Sequence, residues 1–187
     1  MIQVVAVLLV LLSVPLLGGT IANLGGLRLR STWAAPLAVV LQVVLTDVSI
    51  RLFEGPIGGA MHLVTYALAV WFVIANRHIR GLWLIALGGL ANLIAITANG
   101  GVMPASPSAA RIAGIEARSD RFENSKVVEH ARFAVLGDIF AVPASLPFAN
   151  VFSMGDVLLI AGIGYVVHAG SGSRLGAIGK PSPRRAT

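Results

Sequence analysis

The chain has 187 residues, 56% of them hydrophobic and only 12% charged, with a formal net charge of +6. Soluble domains carry roughly 25% charged residues, so this apolar excess, with a mean hydropathy of +0.85, points to a polytopic α-helical membrane protein. Cysteine is absent, which excludes disulfides, zinc thiolates and thiol nucleophiles.

The apolar runs do not alternate as β-barrel strands do, and they leave no room for a separate soluble domain. The four histidines (His62, His78, His130, His168) are scattered, without HExxH spacing or a His-rich tract, so no metal or other cofactor is expected. A pI near 11.1 invites a nucleic-acid reading. The basic residues, however, sit beside hydrophobic runs, so the expected partners are the bilayer and its anionic lipids rather than nucleic acid.

The first apolar run, 2–19, has no Lys or Arg before Arg28 and so lacks the positive n-region of a signal peptide. It reads as a retained crossing softened at Pro15, with cleavage near Ala22 as the alternative. A link with Arg28 and Arg30 leads to a second crossing at 33–53, with Gln42 in its middle and Asp47 near its far end. Asp47 and Arg51 are four apart and can pair on one helix face. After the turn Glu54 to Gly59, a third crossing covers 60–75 with His62 near its start, and a link with Arg77 and Arg80 precedes the fourth at 81–98.

The long connection 99–150 holds Pro104, Pro107, Pro143 and Pro147. Two pieces of it, 109–118 and 125–136, read as amphipathic helices lying along the membrane surface. A connection of this length is the first place to look for function. The fifth crossing is 151–169, and 171–187 reads as a disordered basic tail.

Arg28, Arg30, Arg77, Arg80, Arg174, Lys180, Arg184 and Arg185 fall on one side of this arrangement with no acid among them. The positive-inside rule makes that side cytoplasmic. The expectation is therefore an all-α, five-crossing bundle of the bacterial cytoplasmic membrane, N-terminus outside and C-terminus inside.

Polar residues then collect toward the outer face: Asp47, His62, Asn92, Asn99, Ser153 and Asp156, with Asp138 just before the last crossing. Ionisable groups at such depth are costly unless they face the bundle interior or water, which makes them functional candidates. Each also has a structural reading. Ser153 and Asp156 have the S-x-x-D spacing of a capping box, and Asp47 can pair with Arg51. His62 can bond a neighbour at the interface, Asn92 can be interhelical glue, and Asn99-Gly100-Gly101 can be a helix C-cap. Gly81 with Gly88, and Gly155 with Gly162, are each seven apart and mark two faces for close helix approach, with Asn92 on the Gly88 stripe.

The segments NGGVMP (99–104), LGDIF (136–140) and NVFSMGD (150–156) resemble an uncharacterised family of small bacterial multipass membrane proteins, a domain of unknown function. A fainter likeness is to lipoprotein signal peptidases. GGLANLIA (88–95) is similar to their G-N-x-x-D segment with Asn92 at the Asn, and FSMGD (152–156) is similar to F-N-x-A-D with Asp156 at the Asp. Ala95 stands where that family's first catalytic Asp belongs. The resemblance therefore implies an aspartyl peptidase only if Asp138 supplies the second carboxyl, since two carboxyls must share a proton. The expected function is a non-catalytic membrane subunit or binding module, with a polar pocket at the outer face for a lipid, peptide or partner membrane protein. The alternative is a signal-peptidase-like enzyme using Asp156 with Asp138.

Overall fold

The computed structural model describes residues 2–34, 36–37, 40–41, 56–114, 125–128 and 130–177, without the side chains of 2, 56–63 and 66. Its elements are α1 (Ile2–Leu16), a 3-10 segment (Ile21–Gly26), α2 (Pro56–Ala75), α3 (Leu82–Ala98), β1 (Met103–Ala105), α4 (Pro107–Ala113) and β2 (Ser125–Val127). A 3-10 turn (Ala134–Leu136), β3 (Phe140–Val142), β4 (Asn150–Phe152), α5 (Met154–Ser171) and α6 (Arg174–Ala177) follow.

The expected all-α bundle of five crossings does not hold. Among the described residues the fold is mixed, with two small sheets. Among the described residues one helix, Met154–Ser171, is long and apolar enough to cross a membrane, while Gln3–Leu16 and Leu82–Ala98 are shorter apolar helices. The 15 residues of α1 span about 22 Å at 1.5 Å per residue, short of a hydrocarbon core about 30 Å thick. The second expected crossing lies mostly outside the described residues, as do Gln42, Asp47 and Arg51.

The long connection departs most from expectation. Helix is present at Pro107–Ala113, capped by Ser106, whose hydroxyl accepts from the Ala109 amide, and closed by Gly114 at φ 68°. The expected helix at 125–136 is instead strand β2 and a 3-10 turn. β1 and β2 pair in parallel, Met103 with Ser125 and Ala105 with Val127. β3 and β4 pair antiparallel, Phe140 with Phe152 and Val142 with Asn150. These form a cap with its own small core of Ala105, Ala109, Ala113 and Val151. Alanine at three of those positions lets α4 lie close on the β3–β4 ribbon.

Beneath the cap, α3 and α5 pack antiparallel and most extensively, and α1 lies on α5. The glycine spacing accounts for the α3–α5 crossing. A Cβ on Gly88 would sit 2.5 Å from the Gly155 carbonyl oxygen, and one on Gly162 would sit 2.8 Å from the Ile85 nitrogen. Only glycine allows the two backbones to come that near. α1 runs parallel to α5: Gln3 reaches Asp156 at one end, and Ser13 reaches His168 toward the other. Past α1, the Thr20 amide donates to the Ser171 carbonyl.

Two asparagines staple distant segments in the same way. The Asn76 amide oxygen accepts from the Arg30 amide at 2.6 Å, and its nitrogen donates to the Arg30 carbonyl at 2.8 Å. Asn99 does the same to Arg132, at 2.9 and 2.8 Å. Each side chain imitates a strand neighbour for one residue of the remote backbone. Asn76 is fully buried while the Asn99 staple is exposed, so their replacement should differ. Asn76→Ala is expected to cost about 2 kcal/mol, because the lost bonds are shielded from water, and Asn99→Ala about 1 kcal/mol. Equal shifts in melting temperature in detergent would contradict that ranking.

The tail is ordered at its start. Ser171 and Ser173 are 1% exposed, α6 follows, and 178–187 lie outside the described residues. The links bearing Arg28, Arg30, Arg77 and Arg80 thus meet the C-terminal end of α5 at one pole of the helical body. The cap, Gln3 and Asp156 occupy the opposite pole.

Candidate functional site

The first turn of α5 sets the site. Ser153 stands in extended backbone ahead of the helix, and its hydroxyl accepts from the Asp156 amide at 3.0 Å. Asp156 Oδ2 in turn accepts from the Ser153 amide at 3.1 Å. This reciprocal capping box satisfies two helix-end donors, and it presents the other carboxylate oxygen to the neighbouring helices. Oδ1 accepts from Asn92 Nδ2 of α3 at 3.0 Å and from Gln3 Nε2 of α1 at 2.9 Å. Ser153 Oγ completes the ring by donating to Asn92 Oδ1 at 2.8 Å.

Three helices therefore converge on one carboxylate. A carboxylate offers about four acceptor positions, and three are taken. Asp156 is 9% exposed, and that exposure opens on a cleft of about 400 Å³ lined by Gln3, Ala6, Phe152, Asp156, Val157 and Ile160. Apart from Gln3 and Asp156 these walls are apolar, with Phe152 stacked on Phe140 at 5.2 Å between ring centres. An apolar trough with one carboxylate at its base suits a hydrophobic ligand carrying a single donor or a cation.

Asp138 belongs to the cap. Its amide donates to the Pro104 carbonyl and its carbonyl accepts from the Ser106 amide, which holds it beside β1. Its carboxyl accepts from the Ser125 hydroxyl. Burial pushes this carboxyl above the usual range, the Ser125 hydrogen bond pulls it down, and the charge of Asp156 pushes it further up. Among the described residues no hydrogen bond joins the two carboxyls.

The raised value has a definite consequence for stability. The folded chain holds the Asp138 proton to higher pH than the unfolded chain does. Its contribution is thus fully present below the unfolded value near 3.8 and is lost as pH rises through the folded value. Asp138→Asn, which can still accept from Ser125, is expected to match the parent at acidic pH and to exceed it in melting temperature at neutral pH. A melting profile with the same pH slope in both proteins would remove Asp138 as the source.

Of the residues singled out in the sequence, Asn92, Ser153 and Asp156 come together, Asp138 lies in the cap near enough for the charge of Asp156 to register on it, and Asn99 staples Arg132. Asp47 and the His62 side chain lie outside the described residues. Gln3 was missed, although a lone amide in an otherwise apolar run is itself a signal for a buried partner. His168 was missed as well. It is 6% exposed, with Nδ1 2.8 Å from Ser173 Oγ and Nε2 3.2 Å from Ser13 Oγ.

Residues 26–168 match a family of unknown function, DUF5317. The chain belongs to that family. The DUF5317 stretch contains Asn92, Asp138, Ser153, Asp156 and His168, whereas Gln3 and Ser13 of α1 precede it. This chain is also similar to an uncharacterized protein of Thermotoga maritima, 24% identical over 163 residues that make up 86% of this chain and 88% of the relative. No solved structure matches.

Proposed function

We propose that this chain resides in the bacterial cytoplasmic membrane as a non-catalytic binding module. It holds an apolar ligand with one donor group against Asp156 at the outer face. The observation that carries this reading is the carboxylate set in an apolar cleft, with one acceptor position left after Gln3, Asn92 and Ser153. Membrane residence draws support from the outward flanks. Leu8, Leu9, Leu12 and Leu16 of α1 are 53–83% exposed, and Val70, Trp71, Ile74, Trp83, Leu87 and Leu90 on α2 and α3 are also uncovered. Apolar area on this scale is costly against water and stable against acyl chains.

The binding test uses dodecylamine and dodecanoate as probes, equal in tail and opposite in head charge. The amine is expected to raise the melting temperature of the purified chain and the carboxylate is not. Ile160→Trp, which fills the cleft and keeps Asp156, should abolish the shift. Equal shifts by both probes, or a shift that survives Ile160→Trp, would sink the reading.

For orientation, the absence of native cysteine makes single-cysteine labelling clean. In intact cells an impermeant maleimide should reach Ser145→Cys in the cap and not Thr32→Cys at the basic pole. The reverse pattern inverts the proposal, and a chain recovered in the soluble fraction ends it.

A second reading, an aspartyl peptidase using Asp156 with Asp138, draws support from the charge of Asp156, the smallest of the three influences on the Asp138 carboxyl. It requires that Asp138→Asn and Asp156→Asn each abolish processing of a lipoprotein precursor. Activity retained in either variant rules it out.

A further inference from the structure

We propose that the basic pole carries a built site for the phosphate of an anionic phospholipid, in a cleft formed by Arg28, His78 and Arg80 over the C-terminal end of α5. The proposal rests on the membrane residence argued above. The cleft has a volume of about 340 Å³, and its floor includes Leu27, Val166 and Ala169. Arg28, His78 and Arg80 are the ionisable side chains of its lining apart from Tyr165, and among the described residues no carboxylate neutralises either guanidinium.

The rim is also held in place. The His78 Nε2 lies 3.1 Å from the Arg28 carbonyl. A carbonyl only accepts, so Nε2 carries the hydrogen, and the bond ties the His78 ring to the link that bears Arg28. The Asn76 staple fixes Arg30 against the same link. Gly81, at φ 98° and packed against Tyr165 and Val166, starts α3 immediately after Arg80, and the positive end of α3 offsets the negative end that α5 brings to the same cleft.

A second, independent observation selects a lipid over a free anion. All three tryptophans of the chain lie toward this pole: Trp33 in the first link, Trp71 in the last turns of α2 and Trp83 at the start of α3. They are 57, 54 and 58% exposed. Trp71 Nε1 donates to Ser31 Oγ at 3.2 Å. Tryptophans gather where headgroups meet acyl chains, so a phosphate held by Arg28 and Arg80 has its tails beside apolar helix flanks.

The test reconstitutes the full chain in nanodiscs of phosphatidylcholine with a minor share of phosphatidylglycerol, and measures the lipid retained on extraction into detergent. The parent is expected to retain phosphatidylglycerol preferentially. Arg28→Gln with Arg80→Gln should reduce that preference about 25-fold, taking a factor of about five for each charge near a lipid surface. Arg77→Gln with Arg174→Gln removes the same charge at the same pole outside the cleft and should leave most of the preference. Equal loss in the two pairs overturns a built site in favour of diffuse charge. Protection from heat by inorganic phosphate alone, equal to that by the lipid, overturns a lipid in favour of a soluble phosphate. A chain that enters nanodiscs yet retains both lipids alike overturns this site alone, whereas one that never enters them overturns membrane residence.

Discussion

Leucine at Gly155 is expected to destabilise the folded state by about 4 kcal/mol, whereas leucine at Gly89 leaves the melting temperature unchanged or slightly higher. The two positions differ in what a side chain meets. A Cβ on Gly155 would collide with the Asn92 side chain and sit 2.7 Å from the Gly88 carbonyl oxygen, while nothing lies within 4 Å of one on Gly89. Overpacking by itself costs about 1–3 kcal/mol. Here Asn92 is also driven off Asp156, and a buried polar group left unpaired costs about 1–3 kcal/mol more. The sum, about 4 kcal/mol, is a large part of the 5–15 kcal/mol that holds an ordinary domain together. Gly88→Leu should act similarly, since its Cβ would lie 2.9 Å from the Leu159 nitrogen, a backbone atom that cannot rotate away. A Gly155→Leu protein that melts like the parent would mean that α3 and α5 do not cross at these glycines.

Asp156→Asn is the second large effect, and its cause lies in counting donors. The carboxylate accepts Gln3 and Asn92 on one oxygen and the Ser153 amide on the other. An asparagine has one acceptor oxygen. If that oxygen faces Gln3 and Asn92, its NH2 meets the Ser153 amide; if it turns to cap the helix, the NH2 meets two side-chain donors. The first sets donor against donor at the buried Ser153 amide, and the second requires the Asn92 and Gln3 amides to turn over so that their oxygens accept; both replace charge-assisted bonds by neutral ones, at an expected cost of about 2 kcal/mol. Ser153→Ala loses a cap hydroxyl and should cost about 1 kcal/mol. Urea unfolding of the two variants in the same detergent gives the ranking. If Ser153→Ala proves the more damaging, the ring is not organised around the carboxylate.

Much of the α3–α5 crossing was legible in the sequence, because its determinants are local spacings. Glycines seven apart fix a helix face, Asn92 four residues beyond Gly88 extends it, and S-x-x-D marks the start of α5. The cap was not legible. Its strands are three residues each, too short to establish a period of two, and their pairing joins segments such as 103–105 and 125–127 whose partnership no periodicity encodes. Ser125 to Leu136 has the spacing of an amphipathic helix, yet Ser125–Val127 finds a parallel partner in β1 and its backbone goes there. Gln3 escaped notice for another reason. Which way α1 runs against α5 is a tertiary choice, and only the parallel arrangement brings residue 3 to residue 156. The apolar excess alone suggests five crossings. It instead covers the flanks of helices of which one, α5, has the length and hydropathy of a span among the described residues.

The reciprocal Ser153–Asp156 box gives the cleft an unusual reporter. An occupant that binds the folded cleft and not the unfolded chain raises thermal tolerance by mass action, and here it would do so through Asp156, the group that starts α5. A library of amphiphiles can therefore be screened by calorimetry alone, with no knowledge of any reaction. At a hundredfold excess over its dissociation constant, a true occupant adds about 2.7 kcal/mol to the folded state, a displacement large enough to stand clear of nonspecific surfactant effects.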